Sequence, residues 1–80
     1  MSKLVRKVQQ ERLHALLREV RLEAGLRQID LANRLGQPQS FISKCESGER
    51  RLDLPELREV CKALGIPLKE FVQRFEDSHK

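Results

Sequence analysis

Eighty residues with a net charge of +4 make one small domain, near the lower limit of what buries a working core without help. Apolar residues are 39% of the chain and charged residues 35%, with no Trp, no Tyr and three Phe, which excludes an aromatic core and points to a soluble, mostly helical domain packed with Leu, Val, Ile and Ala. The basic excess permits a polyanionic partner, and it is localised: residues 1–27 hold seven Lys or Arg against three Glu, whereas from residue 28 onward nine basic side chains balance nine acidic ones.

Residues 1–10 are basic and weakly apolar, either an amino-terminal arm or an extension of the first helix, with Leu4 and Val8 an i, i+4 pair. They are charged and hold no apolar run long enough for a signal peptide or a membrane span, so a cytoplasmic location and no membrane partner are expected. From Glu11 to Ala24 the helical signal is firm, because Leu13, Leu16, Leu17, Val20 and Ala24 recur on one face. Gly25 ends the helix. Arg21 lies at the edge of the apolar face, where it either snorkels or is held by a carboxylate from elsewhere. Leu22 falls on the opposite side with Ala15, Val8 and Leu4; exposed leucines are ordinary, and a partner contact is the alternative.

Gln28 to Leu35 reads as a second, shorter helix with Leu31, Ala32 and Leu35 inward, stopped by Gly36. Gln37 and Pro38 make the turn, with Pro38 expected as the first residue of a third helix that runs to Ser47 and closes at Gly48. Residues 49–52 form a loop. Asp53 with Glu56 three residues later has capping-box spacing, and Pro55 suits a first turn. The fourth helix places Leu57, Val60, Cys61 and Leu64 on one face and ends at Gly65. Pro67 opens a fifth with Leu68, Phe71, Val72 and Phe75 inward, and residues 77–80 form a polar tail. The expected fold is all-α, a compact five-helix bundle over residues 11–76 with a central helix-turn-helix. Cys45 and Cys61 sit at apolar positions with no Cys-x-x-Cys spacing and no clustered His, so they read as reduced core residues, and neither metal nor cofactor is expected.

With Gln39 at zero and about 100° per residue, Phe41, Cys45 and Ile42 fall near roughly 200°, 240° and 300°. The opposite side of the third helix is then Gln39, Ser40, Ser43 and Lys44: an amide, two hydroxyls and an ammonium, with no carboxylate. Groove reading asks for such groups. Amides pair bidentately with adenine, hydroxyls reach bases or phosphates, and lysine reaches guanine acceptors or a phosphate. A polar outer face is also the ordinary state of a surface helix. The spacing adds specificity: Ala32 is small where two helices approach, Gly36 supplies the turn, and Ile42 and Cys45 dock the third helix back.

Leu26-Arg27-Gln28 with Leu31-Ala32-x-x-Leu35-Gly36, then Gln39-Ser40-x-Ile42-Ser43-Lys44-x-Glu46-x-Gly48-x-Arg50, resembles the lambda-repressor and Cro type (XRE-like) helix-turn-helix family, and the flanking helices extend the likeness from Glu11 to Phe75. The resemblance implies a role for individual residues. Gln28 matches the family glutamine that holds a backbone phosphate, and Gln39, Ser40, Ser43 and Lys44 match the positions that face bases or nearby phosphates. Gly48 through Arg51 match the loop on the backbone, so Arg27, Gln28, Gln37, Ser47, Arg50 and Arg51 are the expected phosphate contacts, with the basic arm as a further source. Arg21 and Glu46 match positions of a structural, partly buried ion pair. Three departures stand out: Arg27 where Ser or Thr is usual, Pro38 where a capping hydroxyl is common, and Cys45 in place of a larger aliphatic residue.

The resulting expectation is a sequence-specific DNA-binding transcriptional regulator, a repressor, bound to double-stranded DNA as a homodimer on a palindromic operator. Phe71, Val72 and Phe75 either form the dimer element or complete the core. The alternative is an antitoxin or adaptor of the same fold, acting through a protein partner on the Leu4, Val8 and Leu22 strip. An enzyme is not expected, since His14 and His79 lie far apart and neither neighbours a nucleophile motif, a Gly-rich phosphate loop or a ligand cluster.

Overall fold

The computed structural model describes residues 2–78 as five helices in the order α1 Lys3–Glu23, α2 Gln28–Leu35, α3 Gln39–Ser47, α4 Leu54–Leu64 and α5 Leu68–Asp77, with no strand among the described residues. Met1, His79 and Lys80, and with them the end of the expected tail, lie outside the described residues. None of the helices is long and apolar enough to cross a membrane.

The basic segment is helix rather than arm. The Ser2 hydroxyl caps α1 by accepting from the Val5 N–H at 3.2 Å, and the helix continues unbroken through residue 10 into the Leu13 to Val20 stretch. Its first turns run clear of the bundle: residues 2–8 are all exposed. Asp53 and Glu56 cap α4 reciprocally, with the Glu56 N–H donating to Asp53 Oδ1 at 2.8 Å and the Asp53 N–H to Glu56 Oε1 at 3.1 Å. Gly36 ends α2 at φ +66°, a left-handed conformation that costs a residue with a Cβ about 1–2 kcal/mol; this turn lets α3 fold back beside α2.

The core collects Leu16, Leu17 and Val20 from α1, Leu31 and Ala32 from α2, Ile42 from α3, Val60, Cys61 and Leu64 from α4, and Phe71 from α5. Ala32 is completely buried, and α2 packs against α3 and α4. Helix α1 packs against α3 and α5. Polar ties brace the periphery. Arg34 donates to the Ala63 carbonyl at 2.8 Å, and Arg74 holds Glu23 at 2.8 Å and Glu19 at 3.3 Å, fastening α5 to α1. Both cysteines are free and buried, and burial pushes the Cys61 thiol up to about 11, far from its reactive thiolate form.

Four expectations are corrected. Ala24, expected inward, is exposed because it is the C-cap of α1, where the helix face ends. Pro38 is the N-cap of α3, with an extended ψ of 156°, rather than its first helical residue, so α3 begins one residue later; Pro67 opens α5 as its N-cap, at ψ 140°. Asp77 belongs to α5 and not to a tail. Val72 is 41% exposed, whereas Phe71 is buried to 1% and Phe75 is half-buried against the core; the two phenylalanines therefore complete the core. Phe71→Ala is expected to cost about 3–5 kcal/mol by cavity formation, while Val72→Ala stays within about 0.5 kcal/mol, as measured by urea unfolding of the two variants.

Candidate nucleic-acid interface

Helix α3 has nine residues, too few to persist without tertiary support. Ile42 and Cys45 are buried to 2% and 3% on its inner side, Phe41 is half-buried, and Gln39, Ser40, Ser43 and Lys44 are all exposed. These four are brought together on one outward strip with no acidic side chain among them.

The orientation of that strip is set from beneath by a polar relay. Arg21 and Glu46 face each other bidentately, Nε to Oε2 at 2.6 Å and Nη2 to Oε1 at 3.0 Å, with both side chains nearly excluded from solvent. Arg21 Nη1 also donates to the Leu26 carbonyl at 2.7 Å, so one guanidinium joins α1, the α1–α2 loop and α3. The hydrogen bonds to Glu46 raise the Arg21 pKa further above its usual value against the effect of burial. Gln28 Nε2 donates to the same Glu46 Oε1 at 3.2 Å, and Gln39 Nε2 donates to Gln28 Oε1 at 3.4 Å. A continuous line of polar contacts thus runs from the buried pair to the first residue of α3. Each amide in it keeps a further N–H for a ligand.

The expected phosphate contacts divide by what already holds them. Arg27 is tied to Asp30 by Nε at 3.0 Å and Nη2 at 2.9 Å, while its backbone N–H donates to Asp30 Oδ2 at 2.8 Å. A guanidinium has no acceptor, so only the carboxylate's half of a capping box is made at α2. Arg50 pairs with Glu56 and stacks 4.9 Å above the Phe41 ring. Ser47 Oγ donates to the Lys44 carbonyl at 3.2 Å. Gln37 is exposed, with its N–H on the Ala32 carbonyl at 2.9 Å. Arg51 is exposed and has no ion pair among the described residues.

His14, set aside in the sequence as a helix residue beside the apolar face, supports the loop. Gly48 adopts φ +88° and a Cβ there would lie 3.0 Å from the His14 ring, so glycine is required both by conformation and by contact. Burial, then Arg51, lowers the His14 pKa against a smaller opposing effect of Glu11. The sequence signal was available: His14 and Arg21 are seven residues apart and share one side of α1.

A short second helix turned by a glycine onto a third, whose outer strip is polar and whose inner strip is buried, defines a helix-turn-helix domain. The Helix-turn-helix family profile matches residues 17–71, and the chain belongs to this family, in its XRE-type branch, as a DNA-binding transcriptional regulator. The structure is similar to an XRE-family like protein from Pseudomonas syringae pv. tomato str. DC3000, with TM-score 0.88 and 38% identity over 98% of this chain and 95% of that one. The restriction-modification controller protein C.Esp1396I is 25% identical, with TM-score 0.80 over 86% of this chain and 91% of that one. The clp gene regulator ClgR from C. glutamicum is 26% identical, with TM-score 0.79 over 90% and 94% of the two chains. No curated protein matches.

Two measurements check the geometry. Glu46→Ala leaves a buried guanidinium without its partner and is expected to cost about 3 kcal/mol in chemical unfolding. The Asp30 carboxyl, held down to about 2 first by the Arg27 side chain and then by its backbone N–H, is expected to titrate near that value by NMR. A depressed carboxyl stabilises the fold above its ordinary 3.8 and loses that contribution as pH falls through about 2. Arg27→Ala is expected to return the midpoint toward 3.8.

Proposed function

We propose that the protein is a sequence-specific transcriptional repressor that lays α3 in the major groove and binds a palindromic operator as a homodimer. The observation that carries this reading is the acid-free strip of Gln39, Ser40, Ser43 and Lys44, exposed together and aimed by the relay through Gln28 to the Arg21–Glu46 pair. Amide, hydroxyl and ammonium groups match the base edges of the major groove, where carboxylates would repel the duplex. Gln28, Gln37, Ser47 and Arg51 flank the strip as phosphate contacts. Arg27 and Arg50 join them by exchanging an exposed carboxylate for a phosphate.

A nine-residue helix reaches only a few base pairs, so useful specificity requires a second copy about 34 Å away on the same face of the duplex. A tetramer of the controller protein C.Esp1396I is known in complex with its natural 35 base-pair operator, which supports DNA binding by an assembly of copies here. The reading assigns no catalytic role and places the protein in the cytoplasm with the DNA. An adaptor role through the exposed Leu4, Val8 and Leu22 is the rival. It would gain support from a stoichiometric co-purifying protein combined with no salt-dependent DNA binding.

Selection of bound duplexes from a random library is expected to return a palindrome. On that sequence, Gln39→Ala and Lys44→Ala should change base preference, at about 1–3 kcal/mol for each lost base contact. Gln28→Ala should weaken binding on all sequences. Mobility shifts unchanged by both kinds of substitution would show that α3 does not read the groove with this face.

A further inference from the structure

Some of the basic side chains are paired with carboxylates and others are not. Arg21, Arg27, Arg50, Lys62 and Arg74 each face a carboxylate. Lys3, Arg6, Lys7 and Arg51 face none among the described residues, yet they converge with Ser47 and Gly48 on one open groove of about 490 Å³. Glu11 lies at the groove as its one carboxylate.

The register of α1 explains the convergence. Lys3, Lys7, Gln10 and His14 follow one side of the helix at three- and four-residue steps, and Arg21 lies on the same side seven residues further on. Further along, that side is fixed to α3, by His14 against Gly48 and by Arg21 to Glu46. Its first two turns therefore overhang the loop after α3, beside Ser47 and Arg51. Apolar packing does not account for them, since residues 2–8 are exposed.

Electrostatics make this arrangement unfavourable in the free protein. Lys3, Arg6 and Lys7 occupy the amino-terminal end of a helix whose first turn has no acidic residue, where cations oppose the helix dipole. Lys3 also repels Arg6 and Lys7 at i, i+3 and i, i+4. A polyanion in the groove offsets both effects, because it is attracted by the cations and by the amino-terminal end of the helix dipole alike. The groove continues from the carboxyl end of α3, so the polyanion that reaches Lys44 and Ser47 reaches it as well.

We propose that the first two turns of α1, together with Arg51, form a rigid helical clamp for backbone phosphates outside the base pairs that α3 reads. The clamp rests on the DNA reading above and adds a contact that is blind to sequence, fixed in position, and located beyond the edge of each half-site.

The test compares the full chain with the triple variant Lys3→Ala, Arg6→Ala, Lys7→Ala on the selected duplex, and on the same duplex trimmed of its flanking base pairs. Thermal unfolding of the variant without DNA is expected at or above the wild-type midpoint, because removing these cations relieves the dipole and like-charge penalties. The slope of log K against log salt concentration is expected to become shallower by about 2–3, at roughly 0.9 per phosphate released, with the ranking of operator sequences unchanged. Trimming the flanks should weaken the wild type and leave the variant unaffected. A variant with the wild-type slope and the wild-type loss on trimming overturns the clamp and leaves groove reading by α3 in place. A wild type that binds DNA with a steep, clamp-dependent slope but ranks no sequences overturns the specific reading alone, and a wild type that binds no DNA overturns both.

Discussion

The placement of α3 depends on the buried pair between Arg21 and Glu46. Apolar contact through Ile42 and Cys45 holds the helix down but does little to fix its rotation, because dispersion and hydrophobic forces have no preferred direction. A bidentate guanidinium–carboxylate pair does, since both oxygens must meet the planar fork. A buried ion pair is a poor source of net stability, given the cost of removing both charges from water. Its contribution here is angular: Glu46 lies in the last turn of α3, Arg21 donates a further hydrogen bond to the Leu26 carbonyl, and the turn of α3 is locked relative to α1. Gln28 and Gln39 extend that lock to the amino-terminal end of the helix, on its exposed face.

The same carboxylates and arginines that build the fold sort the surface into occupied and free cations. Arg50 and Arg51 are neighbours with different fates. The first is held by Glu56 and the Phe41 ring; the second is open beside α1. Arg27 is occupied by Asp30. Exposed pairs of this kind contribute little to stability, so their arginines can change partner when a phosphate arrives, whereas Arg21 cannot leave a site from which water is nearly excluded. Net charge alone does not reveal this. Among the described residues, unpaired cations lie at the amino-terminal end of α1, at Lys44 on α3 and at Arg51 in the loop between α3 and α4, and also singly at Arg18, Arg58 and Lys69 on the outer faces of α1, α4 and α5.

Most of the architecture was legible because it is written in local rules. Apolar spacing located the helices, Gly36 and Gly48 marked their ends, and the wheel of α3 separated Ile42 and Cys45 from Gln39, Ser40, Ser43 and Lys44. Residues 2–8 are harder: they are exposed, the Leu4 and Val8 pair is too little apolar periodicity to separate helix from arm, and the Ser2 cap is a single hydrogen bond. Val72 was misplaced because the apolar stripe of α5 is wider than the core it meets. Pro38 lies one residue outside the position expected for it because an N-cap and a first helical residue both tolerate a missing N–H. The relay through Gln28 joins side chains 18 and 11 residues apart and follows no local rule. Likeness to known domains named its members, the Arg21–Glu46 pair, Gln28 and Gln39, but not its continuity or the support that His14 gives Gly48.

That α1 is helical to its start changes the economics of binding DNA. A flexible basic arm reaches many phosphates, but ordering it against a duplex costs about 1–2 kcal/mol of backbone entropy per residue. A helix has already met that cost on folding, at the expense of holding like charges together at the wrong end of its dipole. Because α1 is locked to α3 by Arg21 and by the fit of His14 against Gly48, its basic turns cannot move independently of α3; in the proposed clamp they would meet the backbone only with α3 seated at one depth and one angle. Under that proposal the charges that attract DNA would also test whether α3 has docked correctly, and the device that couples the two is the buried Arg21–Glu46 pair.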